Sequence, residues 1–239
     1  MPLTPSSRAE AARLSGTQRR LLADLSDVGA GYPLVLAGGH AVQLHGLVDR
    51  ASRDLDLATD AQAPMAEVMA GVRAGLEARG WRVRDAVTEP LAARFTAGDP
   101  MTGDDCEVTI AKETLWRPPV RTGHGLVLAV EDLVGTKVRA LADRGLARDL
   151  IDVHAAADRW SRAELEELGR RHAPETFDPA DLKARLEGTD WLGEADFAAC
   201  GLDEAATAAV RRWAQLWADD IGERLAEEAP YEDDTGPGD

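Results

Sequence analysis

The spacing of apolar residues along the chain predicts a series of helices and strands. One helix is predicted from Pro64 to Gly80, because apolar residues recur there every three or four positions and proline suits a first helical turn. Its predicted buried face consists of Met65, Val68, Met69, Val72 and Leu76. Residues from about 6 to 30 show the same helical spacing up to Gly29, which predicts a first helix over that stretch.

Shorter apolar runs and alternating patterns predict strands between these helices. Leu34, Val35 and Leu36 form an apolar run before a glycine pair, and the HAVQLHGLV that follows is predicted to be a helix. Polar and apolar residues alternate, as in strands with one buried face, in RASRDLDLAT, WRVRDAV, ARFTAG and DCEVTIAK. The predicted order is helix, strand, helix, strand, helix and then further strands.

From VEDLVGTK onward the pattern is almost entirely helical, so we place a domain boundary near residue 128. Residues 1–128 are predicted to form an α/β domain with a mixed sheet flanked by helices, and residues 129–228 an all-helical domain. The last stretch, 229–239, combines clustered acids with proline and glycine, and it is predicted to be a disordered acidic tail.

Composition narrows the class of protein without identifying it. The formal net charge is −16 and the sequence pI is near 4.7, which disfavours indiscriminate binding to nucleic acid but allows a local basic groove. No apolar run approaches the roughly 20 residues that span a bilayer, and the first residues lack the apolar core of a secretory signal. We therefore expect a cytoplasmic protein. Cys106 and Cys200 have no CxxC or metal-finger spacing, so neither a zinc site nor a disulfide framework is predicted.

The stretch RASRDLDLATD carries the first candidate chemistry. If it is a strand, Arg50, Ser52, Asp54 and Asp56 lie on one face and the leucines on the other. Two carboxylates side by side repel each other, and in a low-dielectric cleft a divalent metal between them would keep both ionised. The alternative is that both acids are exposed strand residues or salt-bridge partners of the neighbouring arginines.

Gly38 and Gly39 stand between a predicted strand and a predicted helix. Free backbone N–H groups at a helix start, with no Cβ atom in the way, could receive a phosphate, although many such turns hold glycine for geometry alone. About fifteen residues later the Asp-x-Asp pair follows on the next predicted strand. This order places a phosphate cradle beside a metal pair, the two parts that phosphoryl transfer requires.

A second polar cluster is predicted in the helical part. Lys137 and Arg144 are seven residues apart on one helical face, and the turn at Gly145 leads to Arg148 and Asp149 at a new helix start. Such a basic cluster, with an acid beside it, could neutralise the charge of a triphosphate. The alternative is a helical hairpin held together by ion pairs.

Together these blocks resemble the nucleotidyltransferase AbiEii/AbiGii toxin family, within the polymerase-beta-like nucleotidyltransferase superfamily. The resemblance rests on LAGGHAVQLHGLVDRASRDLDLAT and on KVRALADRGLARDLIDVHAA, which contains Asp152, and it covers roughly residues 30–60 and 130–160. It implies a nucleotidyltransferase-fold mixed sheet flanked by helices, followed by an all-helical C-terminal domain that completes the nucleotide cleft. It also implies an enzyme that transfers a nucleotide from an NTP to a hydroxyl and releases pyrophosphate.

The resemblance assigns roles to the matching residues. Asp54 and Asp56 match the metal-binding pair, and two Mg²⁺ ions would bridge the triphosphate and activate the acceptor hydroxyl. Lys137 matches a lysine expected at the nucleotide and Asp149 matches the acid of the second block, so both are expected to be catalytic together with the two aspartates. The residues expected to bind the nucleotide are Gly38, Gly39, Arg50, Ser52, Lys137, Arg144 and Arg148.

Members of the superfamily often carry a third carboxylate on a later strand. Glu107 is the candidate for a third metal ligand, because alternation in DCEVTIAK places it on one face with Thr109, and Asp105 is the competitor. The glycine pair departs from the more common Gly-Ser turn, because Gly39 is followed by His40. We expect His40 to be a packed or surface residue, with contact to a phosphate or the acceptor as the alternative.

The acceptor of the nucleotide stays open at this stage. The family link to toxins favours the 3′ end of an RNA such as tRNA, and the basic stretches ARGWRVRD and KETLWRPPVR could line an RNA groove. The strong negative charge instead favours a small-molecule hydroxyl on an antibiotic or a metabolite. A further alternative is a non-catalytic module that binds a nucleotide or a partner. Toxins of this family usually act with a separately encoded antitoxin, so an antitoxin protein is an expected partner.

Overall fold

The computed structural model describes residues 14–50 and 52–228, in which helices flank one sheet and then form a region of their own. The strands are β1 (Val35–Leu36), β2 (Leu55–Thr59), β3 (Arg82–Thr88), β4 (Ala92–Gly98), β5 (Asp105–Lys112), β6 (Val120–Thr122) and β7 (Gly125–Val127). The helices are α1 (Gly16–Val28), α2 (Gly38–Leu44), α3 (Met65–Glu77), α4 (Val130–Arg144), α5 (Ala147–His154), α6 (Arg162–Arg171), α7 (Pro179–Glu187), α8 (Glu194–Ala199) and α9 (Glu204–Glu228).

The strands form a seven-stranded mixed sheet in the order β3-β4-β5-β2-β1-β7-β6. Strands β3, β4 and β5 form an antiparallel meander, whereas β2 is parallel to β5 and β1 is parallel to β7. In the central strand β2, every residue is buried except Asp56, which is partly exposed. The predicted α/β class, with a mixed sheet followed by a helical region, is confirmed.

In the described part of the chain, two clusters of buried apolar residues form the cores. The first lies between the sheet and α1, α2 and α3, and Phe95 is one of its largest members. The second joins the helices from α4 onward and includes Phe197 and Trp217. Helix α4 contributes to both, because Leu133 belongs to the first core and the adjacent Val134 belongs to the second. The change from one core to the other therefore occurs inside a helix, shortly after the boundary proposed at residue 128.

Most predicted elements are present, although their ends differ from the sequence pattern. Helix α1 begins at Gly16 because Ser15 and Gln18 form a capping box there, with hydrogen bonds of 2.9 and 3.1 Å between each backbone N–H and the other side chain. Residues 6–13 of the first predicted helix, and the predicted tail 229–239, lie outside the described residues. No helix in the described part of the chain is both long enough and apolar enough to cross a membrane.

The strand predicted over RASRDLDLAT is shorter than the alternation indicated. Strand β2 begins only at Leu55, so Arg50, Ser52 and Asp54 precede the strand and do not share a strand face with Asp56. The interpretation as one continuous strand was wrong, because the hydrogen-bonded pairing with β1 and β5 does not extend before Leu55. Strands β6 and β7 were not predicted, since strands of three residues are too short to show an alternating pattern.

The packing of the helical core can be tested at Trp217. This side chain is fully buried, and its indole N–H donates a hydrogen bond of 2.9 Å to Glu166. We expect Trp217→Ala to lower the free energy of unfolding by about 3–5 kcal/mol. The control Leu216→Ala changes the adjacent position of α9, where the side chain is 51% exposed, and should alter the free energy by less than about 0.5 kcal/mol. Urea denaturation followed by circular dichroism compares the two variants, and equal effects would contradict this packing.

Candidate active site

A polar cleft with a volume of about 340 Å³ lies where the central strands meet α4 and α5. Its walls come from the start of α2, the connection before β2, the three neighbouring strands β2, β5 and β4, and the two helices. The lining residues are Gly39, Arg50, Ser52, Asp54, Asp56, Arg94, Glu107, Thr109, Lys137, Arg144 and Arg148. The fold thus brings the two charged blocks of the sequence into one site.

The glycine pair contacts polar side chains of the cleft closely. Gly38 has a φ of 57°, a left-handed conformation that favours glycine, and a Cβ atom on it would overlap the carboxyl group of Asp56. A Cβ atom on Gly39 would lie 2.7 Å from the hydroxyl oxygen of Ser52. The Gly39 N–H also donates a hydrogen bond to the Asp56 carboxyl group. Both glycines are therefore required by close approach and not by turn geometry alone.

Asp56 is an acid of the cleft whose pKa is shifted by its surroundings. Burial raises the pKa of its carboxyl group, whereas the positive charge of Lys137 lowers it. The Asp54 carboxylate raises this pKa further, and Arg148 and the Gly39 N–H lower it. The resulting pKa lies above that of an ordinary aspartate. The protein alone therefore stabilises the charged form of Asp56 less well than water does, and a cation beside the acid pair would supply the missing compensation.

Glu107 lies in the cleft, whereas Asp105 does not line it. The parallel register of β2 and β5 places Glu107 at the level of Asp54, one position before the first paired residues of the two strands. Asp105 forms a salt bridge of 2.6 Å with Arg84 on the exposed surface of the sheet. Of the two candidates for a third carboxylate, the structure brings Glu107 to the acid pair. Within the described ranges, no three His, Cys, Asp or Glu side chains are grouped closely enough to hold a metal by themselves.

The fully buried carboxylate of Asp152, on α5, holds two of the basic side chains of the cleft. Its Oδ2 accepts a hydrogen bond from Arg50 Nη2 at 2.8 Å and forms a salt bridge with Lys137 Nζ at 2.9 Å, and its Oδ1 accepts another hydrogen bond from Arg50 at 2.9 Å. The Arg50 and Lys137 side chains are only 16% and 12% exposed. This ion cluster ties the connection before β2 to α4 and α5, and it fixes the positions of both basic groups.

Arg144 and Arg148 line the cleft in different ways. Arg144 forms two hydrogen bonds with Asp149, of 2.7 and 2.8 Å, which raise the pKa of its guanidinium group. Asp149 is fully buried and does not line the cleft, so the structure places this expected catalytic acid behind Arg144. Arg148 faces the cleft without a salt bridge to any described residue.

His40 is packed in the interior of the protein. Its side chain is 1% exposed and does not line the cleft. Burial lowers the pKa of the imidazole, against the opposing effects of Gln43 and Asp54. His40 is thus a packed residue, as expected, and it lies in α2 behind the glycine pair. Burial favours its neutral form there.

Arg94 and Thr109 line the cleft although the sequence pattern did not identify them as site residues. Alternation alone gives their orientation, because Arg94 neighbours the buried Phe95 on β4 and Thr109 shares the face of Glu107 on β5. Their position depends on strand pairing, which sets Arg94 opposite Thr109 and Thr109 beside Asp56. No local sequence signal specifies the order of strands in a sheet.

Comparisons with known proteins agree with this geometry. A family model for the nucleotidyl transferase AbiEii toxin of type IV toxin–antitoxin systems matches residues 20–228. MenT4, the nucleotidyltransferase toxin Rv2826c from Mycobacterium tuberculosis H37Rv, is similar at 19% identity and a TM-score of 0.56, with 96% of this chain and 100% of that chain covered. JHP933 from Helicobacter pylori is similar at 18% identity and a TM-score of 0.52, with 90% and 97% covered. At these identities the structures show a shared fold. No curated protein matches the chain in sequence.

The buried ion cluster can be tested by removing its acid. Asp152→Asn leaves Arg50 and Lys137 without a counter-charge in a largely buried position, so we expect it to lower the free energy of unfolding by about 3–5 kcal/mol. Asp143→Asn, at an exposed position of the preceding helix α4, is the matched control and should change it by less than about 0.5 kcal/mol. Thermal and urea denaturation measure both variants. An Asp152→Asn protein as stable as the control would show that the cluster does not hold the two parts together.

Proposed function

Since the chain belongs to the AbiEii nucleotidyltransferase toxin family, we propose that it transfers an NMP from an NTP to the 3′ end of an RNA such as tRNA, with Mg²⁺ as its cofactor. The chain is a nucleotidyltransferase, and the proposal concerns its metal and its acceptor. The observation that carries it is the placement of Asp54 and Asp56 against a glycine turn and a group of basic side chains in one cleft. Phosphoryl transfer requires these parts.

The acids of the cleft suit Mg²⁺. This ion is commonly bound through one or two protein carboxylates, with substrate phosphates and water completing its shell. Asp54 and Asp56 therefore suffice as protein ligands, and Glu107 is a further candidate at their level of the sheet. The raised pKa of Asp56 supports this assignment, because a dication would offset its burial and its repulsion by Asp54. When bound, two Mg²⁺ ions would polarise the phosphates and neutralise their charge.

The glycine turn and the basic side chains are suited to hold the triphosphate. Arg148 has no salt bridge to any described residue, so its charge is free for a ligand. Lys137 forms a salt bridge with Asp152 and retains N–H donors for a ligand, and Arg144 is oriented by Asp149. Arg50 and Ser52 complete the wall beside the acid pair. We assign these residues to nucleotide binding, and we assign Asp149 and Asp152 to positioning them.

The reaction that we propose is a displacement at the α-phosphorus of the NTP. The acceptor oxygen forms a bond to the α-phosphorus, the bond from that phosphorus to the oxygen bridging to the β-phosphorus breaks, and pyrophosphate leaves with the electron pair. The acceptor proton passes to a cleft carboxylate, for which Asp54 and Glu107 are suitably placed. The side chains contribute position and charge, and no covalent enzyme intermediate is needed.

An anionic acceptor fits this cleft better than a cationic one. Five of the eleven lining residues are basic and three are acidic, in contrast to the net charge of −16 for the whole chain. Arg50, Lys137 and Arg144 are paired with Asp152 and Asp149 behind them, so Arg94 and Arg148, which form no salt bridge within the described residues, are the cations that attract the phosphates of RNA. A cationic antibiotic would instead meet Arg94 and Arg148, which form no salt bridge with any described residue.

The proposal extends to the setting of the reaction. The matching family is defined as part of a toxin–antitoxin system, and we propose that a separately encoded antitoxin counteracts this chain. NTPs and tRNA are cytoplasmic, so we place the reaction in the cytoplasm. We further propose that residues 1–128 act as the catalytic core and residues 129–228 as the helical domain that completes the nucleotide cleft, a division that the two apolar cores support.

The role of the acid pair is tested by Asp56→Asn. Purified protein is incubated with Mg²⁺, each of the four labelled NTPs and total tRNA, and we expect label on RNA with the wild type and none with the variant. The control is Asp105→Asn, an exposed position of the same sheet, which should transfer label at the wild-type rate. A fully active Asp56→Asn protein would contradict the metal assignment. Label on a small hydroxyl compound in place of RNA would contradict the proposed acceptor.

The same variant has an expected effect on stability. Because the folded state raises the pKa of Asp56, the ionised carboxylate destabilises the fold above the pKa of the unfolded chain. In EDTA at neutral pH, Asp56→Asn should therefore have a higher Tm than the wild type, by about 2–4 °C for each kcal/mol recovered. Differential scanning calorimetry measures the shift, and a lower Tm would show that the carboxylate is well compensated without a metal.

A further inference from the structure

A second hollow continues from the cleft across the sheet. Its volume is about 330 Å³, within the range of small-ligand pockets, which begins at roughly 300 Å³. Arg94 and Thr109 line both spaces, so the hollow adjoins the cleft. The other lining residues are Val87, Glu89, Ala92 and Ala93.

The hollow lies on the solvent-facing side of the antiparallel meander. On β4 and β5 one set of alternate residues is buried, including Phe95 and Val108, whereas Arg94 and Glu107 on the opposite face are exposed. Val87 at the end of β3 is 59% exposed and gives the hollow an apolar wall. A flat, apolar group could therefore rest on this face without displacing any part of the protein.

Arg94 is a free charge between the hollow and the acids. It is exposed, and it has no salt bridge or side-chain hydrogen bond with any residue in the described part of the chain. The register places Arg94, Thr109 and Asp56 in one row across three adjacent strands. Two strand spacings, about 10 Å, thus separate the backbone of Arg94 from that of Asp56.

Sheet order puts Arg94 and the glycine turn on opposite sides of the acids. Strand β4, with Arg94, lies beyond β5 on one side of β2, whereas β1, which leads into Gly38, lies on the other. The basic groups that act on the Asp56 carboxyl are Lys137, Arg144 and Arg148, all from the helices. The cleft therefore has two separate positive regions, and a nucleotidyl transfer brings two phosphate-bearing reactants together when the acceptor is a nucleic acid.

We propose that Arg94 and the adjoining hollow form the acceptor subsite, in which Arg94 binds an RNA phosphate next to the terminal residue and the apolar wall receives the terminal base. This inference rests on the proposed function and specifies which side of the cleft each reactant occupies. The triphosphate lies toward Gly39 and the helices, and the acceptor hydroxyl approaches from the side of β4. Glu89, at the hollow, can accept hydrogen bonds from base N–H groups.

The subsite is tested with Arg94→Gln, Arg94→Lys and the control Arg212→Gln, an exposed arginine on α9 that lines neither space. The probe is a fluorescein-labelled RNA oligonucleotide with a free 3′ hydroxyl, and its binding is followed by anisotropy over a range of salt concentrations. Loss of one charge-assisted phosphate contact should weaken binding about tenfold in Arg94→Gln and reduce the salt slope by about one. Arg94→Lys should restore part of the affinity, and Arg212→Gln should behave as the wild type.

Steady-state kinetics separates the two reactants. Arg94→Gln should raise KM for the RNA about tenfold while KM for the NTP stays within about twofold of the wild type. A change in KM for the NTP alone would place Arg94 at the triphosphate and overturn the proposal. An RNA with an abasic 3′-terminal residue should bind the wild type several-fold more weakly, and equal binding would overturn the assignment of the hollow to the terminal base.

The experiment distinguishes this inference from the proposed function. If the wild type labels RNA and Arg94→Gln leaves RNA binding and both KM values unchanged, the subsite is wrong and the function stands. If RNA binding depends on Arg94 but no NTP yields labelled RNA, the proposed function is wrong, and Arg94 with the hollow is an RNA-binding site without an acceptor role. If the wild type neither binds nor labels RNA, both are wrong. Thermal melts of the Arg94 variants should match the wild type, since the side chain is exposed.

Discussion

The buried carboxylate of Asp152 is the interaction on which the arrangement of the cleft depends. It accepts hydrogen bonds from Arg50, which precedes the central strand, and forms a salt bridge with Lys137, which belongs to α4. Since these residues come from different parts of the fold, one acid sets the distance between the sheet and the helices. A buried ion pair of this kind adds little to stability relative to an apolar contact, but it is costly to break. Its contribution here is alignment, because it fixes two cations beside Asp54 and Asp56.

The cleft also contains charges that the protein leaves uncompensated. The pKa of Asp56 is raised, and Arg94 and Arg148 form no salt bridges within the described structure. Opposite charges could have been paired internally, as Arg144 and Asp149 are. Leaving them unpaired lowers the stability of the free protein and makes the same groups strong binding sites for ions of opposite sign. The contrast between paired and unpaired charges separates the groups that position the site from those suited to contact a ligand.

Much of this site could be predicted from the sequence, because its main parts are local. The glycine pair and the Asp-x-Asp pair lie within one short stretch, and their spacing carries the chemistry. What could not be predicted depends on pairing across the fold. Local alternation cannot distinguish Glu107 from Asp105, which share a face of β5, and the choice follows from the register with β2. Likewise, the sequence places Asp149 and Asp152 in one helix, and only the packed structure shows that both are buried behind basic groups.

Helix α4 runs from one apolar core into the other, with Leu133 and Val134 on either side of the change. It also carries Lys137 and Arg144 to the cleft. The helical region therefore cannot be removed to leave a complete catalytic domain, because the same helix packs in both apolar cores. A chimaera of two relatives would therefore have to keep α4 intact. A junction within α4 would separate its basic side chains from the acids that they face in the cleft.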